Sequence, residues 1–379
     1  MESKKMIALG DPVLGEAEKK ALIDVIDSGW LTMGDRVKAF ESAFAKLHGV
    51  QEAVAVNSCT SGLHLCLTGL GIGPGDEVLT PSLTFVATVN SILYAGAKPI
   101  FVDTESLTNP HISIKDGEQK LTKTTKAVMV MHYGGYLVDM PSWRRFADAY
   151  GLALIEDAAH SPGVPGVGIL GDATAFSFFT NKNMTTSEGG MVFARNEETL
   201  NQIRYQRAHG MTTGTLDRQR GHAYSYDVIT LGFNYRLDEL RAAMGMAQLE
   251  RLPQFNQKRL ALTQLYRKLI AQKTPSVQIP FDDLRRTAAH LMAVILPKNI
   301  NRQAVMAYLR DKGVQSSIHY PAIHRFTYYQ QQFPHVSLPI TEEFCDRELT
   351  LPLHPFLTDS DVETVTDSLK SALDNISSP

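Results

Sequence analysis

Long apolar runs, paired cysteines and blocks of like charge are all missing from this sequence of 379 residues, and each absence excludes a class of protein. No stretch approaches the roughly 20 apolar residues that cross a bilayer, so no membrane-spanning helix is expected. The N-terminus, MESKKMIALGDP, reaches Gly, Asp and Pro before an apolar leader core can form. It reads as a chain with no targeting segment and a cytoplasmic location. Cysteine occurs three times, as Cys59, Cys66 and Cys345. Neither CxxC metal spacing nor an even disulfide framework is present, which leaves free buried thiols in a reducing compartment. Lys and Arg total 37 against 40 Asp and Glu, with no long run of either sign to attract nucleic acid or lipid headgroups. Internal repeats and low-complexity tracts are absent as well.

What is present is ordinary globular material. Apolar residues make up 44% of the chain and charged ones 20%, enough to bury a large core. The length exceeds what one core usually fills. We therefore expect a large domain over residues 1–245 and a smaller one over 246–379. Residues 16–28 place Ala17, Leu22, Val25 and Ile26 on one helical face, and 36–47 repeat the pattern. Apolar or β-branched strand candidates follow at 53–56, 77–80, 99–102, 126–131, 152–155, 174–178 and 191–194. Helical patterns at 62–69, 85–95 and 140–150 lie between several of them. This rhythm predicts a mostly parallel sheet of seven strands covered by helices on both faces. Ligands of such sheets sit beyond the strands' carboxyl ends. After residue 236 a long helical stretch leads into an apolar run at 288–297, a helix at 302–312, an extended piece at 315–320 and a last helix at 360–375, together a small α+β domain. The polar segment 201–228 is the candidate functional loop.

Four short segments fall where that architecture places a site. In NSCTSGLHL (57–65), Thr60, Ser61 and Gly62 bring hydroxyls and backbone N–H groups to a helix N-terminus, which suits phosphate and equally suits a plain N-cap. In LIEDAAHSPG (154–163), Glu156 and Asp157 end an apolar strand, where a half-desolvated carboxylate seeks a cation such as a protonated ring nitrogen. His160 suggests a metal pair, but no third and fourth ligands follow at metal spacing. In SFFTNKNMTTSEGG (177–190), Lys182 stands alone among small polar residues, five positions after Ser177. A desolvated lysine is a Schiff-base nucleophile; a solvated one is a surface charge. The fourth segment, LGFNYRLDEL (231–240), sets Asn234 and Arg236 before a helix.

Taken together, the four segments supply a phosphate cradle, an acidic partner for a ring nitrogen and a Schiff-base lysine, the equipment of pyridoxal phosphate chemistry. With GDPVLGEAEKKAL, SGWLTMGDRVKAFE, PSLTFVATVNSILYAGAKPIFVD and TLPLHPFLTDSDVE, the chain resembles, over nearly its whole length, the DegT/StrS sugar aminotransferases. These are fold type I pyridoxal-phosphate enzymes of the aspartate aminotransferase superfamily, with the α/β/α large domain and α+β small domain expected above. The resemblance implies that Lys182 forms the Schiff base and moves the substrate proton. It implies that Asp157 keeps the pyridinium nitrogen protonated, that Phe85 stacks on the ring, and that Thr60, Ser61 and Ser177 hold the phosphate. It assigns Asn234 to the phosphate of a neighbouring subunit's cofactor, hence a homodimer with shared sites. His160 stands where the family often has Gln against the cofactor's 3′ oxygen, and Phe85 where Trp or Tyr is also common. Relatives with His in place of the lysine are dehydratases; Lys182 favours transamination.

By the same resemblance, L-glutamate donates the amino group and the acceptor is a nucleotide-linked keto sugar, a 4-keto-6-deoxy sugar first and a 3-keto sugar second. A cyclitol ketone such as scyllo-inosose is an alternative, as is a cofactor-binding regulator without turnover. Trp30, Met33, Gly34, His209, Tyr224 to Tyr226, His319, Tyr320 and His324 are candidates for substrate contacts or for ordinary loop hydrogen bonds.

Overall fold

The computed structural model describes residues 6–213, 221 and 225–376. Two N-terminal helices, α1 (Glu16–Ser28) and α2 (Asp35–His48), precede the large sheet. The sheet strands are β1 (Val54–Val56), β2 (Glu77–Pro81), β3 (Lys98–Val102), β4 (Thr125–Met131), β5 (Ala153–Asp157), β6 (Ala173–Ser177) and β7 (Gly190–Ala194). Between and after them run α3 (Cys59–Gly69), α4 (Val86–Tyr94), α5 (Ile114–Gln119), α6 (Met140–Tyr150) and α7 (Glu197–Arg207). The seven strands lie in the order β1-β7-β6-β5-β4-β2-β3. Every neighbouring pair from β3 to β6 is parallel, and β7 runs antiparallel to both β6 and β1. All seven strand positions read from the sequence correspond to these strands, with ends shifted by a residue or two. Their near-continuous burial, as in β1, β2 and β6, is the mark of a sheet covered on both faces.

Helix α8 (Glu239–Lys273) follows, then β8 (Met292–Ile295), α9 (Arg302–Asp311), α10 (Thr327–Gln332), α11 (Pro339–Arg347), β9 (Glu348–Leu351) and α12 (Asp359–Ile376). β8 and β9 pair antiparallel above a core of their own, built from Leu262, Tyr266, Val294, Leu309, Leu349, Val365 and Leu369 among others. A second apolar cluster, with Leu83, Met131 and Tyr133 from the large sheet's side and Phe281, Ile295 and Phe344 from the other, joins the two parts. The domain boundary expected after residue 245 falls inside α8. Its start packs on α1 and α2 and its later turns on α12. Among the described residues no helix is long and apolar enough to cross a membrane.

Three expectations need correction. The face of α1 drawn through Ala17, Leu22, Val25 and Ile26 is only partly the inward one: Val25 is buried and Leu22 half-buried, Ala17 and Ile26 are exposed, and Glu18 turns inward beside Val25 and Leu22. Its carboxylate accepts from Gln248 Nε2 at 2.7 Å and pairs with Arg251 on α8, so a polar lock shares the inward face with the apolar stripe. The polar segment 201–228 begins as helix, because Asn196 caps α7 through Thr199 N and carries it to Arg207. The extended piece at 315–320 forms only an isolated bridge, Ser317 to Thr350.

Candidate active site

Parallel register brings the carboxyl ends of β1, β2, β4, β5 and β6 to one edge of the sheet, and there the strands hand over to the loops that the motifs occupy. β5 ends with two adjacent carboxylates that the pleat sends to opposite faces. Glu156 is fully buried, 2.9 Å from His132 Nε2, and accepts from Gly168 N and Gly171 N. A Cβ at Gly171 would stand 2.6 Å from its Oε1. Glu156 is thus a structural lock, and among the described residues no cluster that could hold a metal ion occurs.

Asp157 faces the loops. Its Oδ2 accepts from Thr88 Oγ1 at 2.7 Å and its Oδ1 from Ala159 N at 3.1 Å. Burial pushes its pKa up, against those two hydrogen bonds and the charges of Lys182 and His132. The carboxylate is therefore desolvated, and among the described residues no cation bonds it. Thr88 was not among the sequence candidates. It lies one turn into α4 from Phe85, on the helix entered from β2, and only the sheet order brings it beneath β5.

Lys182 sits in the loop from β6 to β7, and the small polar residues around it have defined partners. Thr186 N and Thr185 Oγ1 bond Phe178 O, Thr185 N donates to Gln248 Oε1, and Thr186 Oγ1 donates to Glu188 O. Asn183 Nδ2 donates to Ala288 O and Asn256 Oδ1, while its Oδ1 meets His290 Nδ1 at 2.9 Å. Asn183, Met184, Thr185 and Thr186 are buried, and Lys182 is half-buried. Desolvation brings its pKa down to about 8, with Asp157 and Cys59 pulling the other way. A plain surface lysine would show no such shift.

The two glycines that follow have steric reasons. A Cβ on Gly190 would lie 2.7 Å from Phe176 O, 2.8 Å from Ser58 C and 2.9 Å from Cys59 N, and one on Gly189 would lie 2.2 Å from Thr186 Oγ1. Gly190 pairs with Ser177 across β6–β7 and with Val56 across β1–β7. Ser177 and the N-terminus of α3 are accordingly neighbours. Ser58 caps that helix by accepting from Ser61 N at 3.1 Å, and the first intrahelical bond runs from Gly62 N to Ser58 O. The amides of Cys59 and Thr60 precede it and are the first-turn donors a helix leaves free. Ser61 Oγ donates to Asn57 Oδ1, and Ser177 Oγ accepts from Phe179 N. Asn234 is exposed, its backbone oxygen accepting from Asn57 Nδ2 at 3.3 Å.

Across from Lys182 stands an aromatic and imidazole wall. His160 Nδ1 accepts from Gly134 N at 3.2 Å, and burial holds its pKa well below the ordinary range. The neutral ring carries its proton on Nε2, which donates to Tyr320 Oη at 3.0 Å. The Tyr320 ring lies 5.8 Å from that of Phe85, which is 55% exposed at the start of α4. The Lys182 charge reaches His160, His290 and His319, so these groups share one enclosure. A cavity of about 160 Å³ beside it is lined by Asn181, His290, Gln315, His319 and Thr350 with the N-terminal Leu9 and Gly10.

Other candidates lie elsewhere. Gly34 and Val37 give their amides to Glu239 on α8, and a Cβ at Gly34 would strike Trp30 Nε1, so this turn is packing; Met33 joins the core beside it. His324 is buried with Nδ1 on Ser82 Oγ and Nε2 on Glu342 Oε1, which leaves neither nitrogen for a ligand. His209 donates its amide to Phe233 O. Tyr226 is exposed, and Tyr224 lies outside the described residues.

Residues 12–370 match the DegT/DnrJ/EryC1/StrS aminotransferase family. Among solved structures, the aminotransferase TlmJ from Streptoalloteichus hindustanus is 34% identical at a TM-score of 0.90, over 98% of this chain and 100% of that one. The sugar aminotransferase CalS13 from Micromonospora echinospora is 27% identical at a TM-score of 0.88, over 97% and 100%. NtdA from Bacillus subtilis, solved with bound cofactor PMP, is 28% identical at a TM-score of 0.87, over 95% and 82%.

Proposed function

Because the chain belongs to the DegT/DnrJ/EryC1/StrS aminotransferase family, we propose that it moves an amino group from L-glutamate to a nucleotide-linked 4-keto-6-deoxy sugar, with pyridoxal 5′-phosphate as cofactor. The observation that carries this reading is a desolvated lysine and a cation-free buried carboxylate facing one enclosure, with a hydroxyl-rich helix N-terminus at its end. The donor set fits the group. Lys182 Nζ would hold its aldehyde carbon, Asp157 its ring N–H, and Thr60, Ser61 and Ser177 with the free α3 amides its phosphate. Phe85 would cover the ring, and His160 with Tyr320 would meet its phenolic edge. When bound, the cofactor supplies an electron sink for the carbon that gains or loses the amino group.

The chain's own residues do the rest. A pKa near 8 leaves a usable share of Lys182 as free amine at neutral pH, so its Nζ would take a proton from the substrate carbon and return it. Asp157, uncomfortable as a lone anion, gains from a protonated ring nitrogen beside it. Thr88 and the Ala159 amide aim its carboxylate. The neutral histidines beside the cavity can exchange hydrogen bonds with substrate hydroxyls and carbonyls.

The reading is tested by the visible spectrum of the protein loaded with pyridoxal phosphate, before and after L-glutamate, beside Lys182→Ala. A visible band that depends on Lys182 and bleaches with glutamate is expected. A band that ignores glutamate removes it as donor, and no band in either protein removes the cofactor. Product analysis with 4-keto, 3-keto and cyclitol acceptors then decides the substrate.

A further inference from the structure

Asn183 follows Lys182 directly and is itself buried, and its amide makes three bonds that the chemistry above does not use. Their directions follow from atoms that can play only one part. Asn256 Nδ2 donates to Pro162 O at 2.9 Å, which leaves Asn256 Oδ1 to face Asn183 as an acceptor. Ala288 O is a carbonyl and accepts only. Asn183 Nδ2 therefore spends its two hydrogens on Asn256 Oδ1 at 2.8 Å and on Ala288 O at 2.7 Å. Reversing the amide would set its oxygen against two acceptors. Asn183 Oδ1 is thereby placed on His290 Nδ1 at 2.9 Å, and an amide oxygen facing that nitrogen requires a hydrogen on it. His290 is thus in its Nδ1–H form. Lys182, His160, His319 and Arg259 are the titratable groups that bear on it, and none is a carboxylate that would favour a second ring proton. The His160 ring, 4.3 Å away, is held in the opposite form by Gly134 N on its Nδ1.

The three partners belong to different pieces of the fold. Asn256 lies on α8, which packs on α1 and α2 at its start and on α12 later. Ala288 and His290 stand just before β8 and are tied to the turn after β4, Ala288 N to Gly135 O and His290 N to Gly134 O. On either side of Asn183 the main chain is held as well: Lys182 N donates to Phe179 O at 3.0 Å, and Thr185 N to Gln248 Oε1 of α8. Lys182 is half-buried where Asn183 to Thr186 are buried. A fixed backbone thus carries a side chain with room to move.

We propose that Asn183 is a positioning residue: with Asn256 and His290 it fixes the main chain at Lys182 against α8 and the entry to β8, so that Nζ pivots about a stationary Cα between holding the cofactor and moving the substrate proton. Those two tasks rest on the function proposed above; the bond network and the His290 tautomer do not. Misplacing a reacting group by about 1 Å costs on the order of 100-fold in rate, which sets the size of the effect.

Long-range proton–nitrogen NMR of the full chain labelled with ¹⁵N-histidine reads the ring directly, with His290→Gln to identify the signal. Nδ1–H is expected at pH 7. Nε2–H in the wild type overturns the network, and that measurement needs no Asn183 variant to fold. Asn183→Ala removes all three bonds, and Asn183→Asp keeps the shape while losing both N–H donors. In each, measured well below its melting temperature, kcat is expected to fall about 10- to 100-fold with both KM values within about threefold, and in Asn183→Ala the His290 signal is expected to show both tautomers. Asn256→Ala, which removes one anchor and leaves Asn183 in place, is expected to show a smaller loss of kcat. A variant that melts earlier yet keeps wild-type kcat assigns Asn183 to stability alone and overturns the proposal. A rise in KM with kcat unchanged assigns it to substrate binding and overturns the proposal equally. A wild type without transamination whose His290 is Nδ1–H overturns the proposed function and leaves the network standing.

Discussion

At the scale of residues, the site is a set of groups held away from their comfortable protonation states, and this carries a stability signature. Lys182 has its folded pKa lowered from 10.5 to about 8, so below pH 8 the folded chain bears a buried charge that the unfolded chain solvates. Between 8 and 10.5 the unfolded state binds the extra proton, and stability rises with pH across that window. In the cofactor-free protein, Lys182→Met is expected to stabilise at pH 7 by ~1–3 kcal/mol, the lower end reflecting the partial exposure of the ammonium. The gain fades as pH approaches 10.5. Thermal melts of both proteins at pH 7 and pH 10 check this; a variant no more stable than wild type at pH 7 contradicts the desolvation. Asp157→Asn keeps shape and loses charge, and should lower kcat by ~100-fold or more while melting normally. Unchanged turnover would take Asp157 out of the chemistry. Lys182, Asp157 and the strand ends around them were legible because each follows a short apolar run. Thr88 and the His132–Glu156 pair were not. Their meaning lies in partners 69 and 24 residues away, and nothing local in TVN announces it.

At the scale of elements, the phosphate end of the proposed site depends on how closely β7 passes beneath the N-terminus of α3. Gly190→Ala would push its methyl onto three backbone atoms that cannot rotate away. We expect a loss of ~1–3 kcal/mol in stability and, beyond it, weaker retention of pyridoxal phosphate, because α3 and Ser177 must separate. Comparing Gly190→Ala with Gly71→Ala, whose Cβ meets no atom within 4 Å but whose positive φ of 75° carries a backbone cost of its own, separates the two effects. Equal cofactor affinity in both variants would dissociate the glycine from the phosphate site. The large sheet was readable because covered parallel strands are unbroken apolar runs between turn residues. The smaller part was less so. Helix α11 runs straight into β9 at Arg347–Glu348 without a loop, and ELTL pairs with β8 through partners half a domain away in sequence. In α1, half of the apolar set, Ala17 and Ile26, points outward because the buried carboxylate of Glu18 takes a place on the inward face beside Val25.

At the scale of the whole molecule, one chain leaves an apolar surface near its own site. Leu231 is 81% exposed, with Val228, Ile229 and Tyr226 also exposed on the same segment. Tyr94, likewise exposed, reaches the Phe233 and Tyr235 pair through His64. That set adjoins Asn234 and Asn57 at the α3 N-terminus. Contiguous exposed apolar groups of this kind mark an interaction surface, and we propose that a second copy covers them and lends its Asn234 to this chain's phosphate site. If so, Asn234→Ala and Lys182→Ala each lose most activity alone, yet mixing them restores some. In a hybrid dimer one site combines the intact Lys182 of one chain with the intact Asn234 of the other, while the second site carries both defects. Random reassortment makes half the dimers hybrid, so about one quarter of wild-type activity should return. Recovery near that level, with subunit exchange confirmed by differently tagged chains, requires shared sites. Exchange without recovery means that Asn234 serves its own chain, and an active Asn234→Ala means that it serves none.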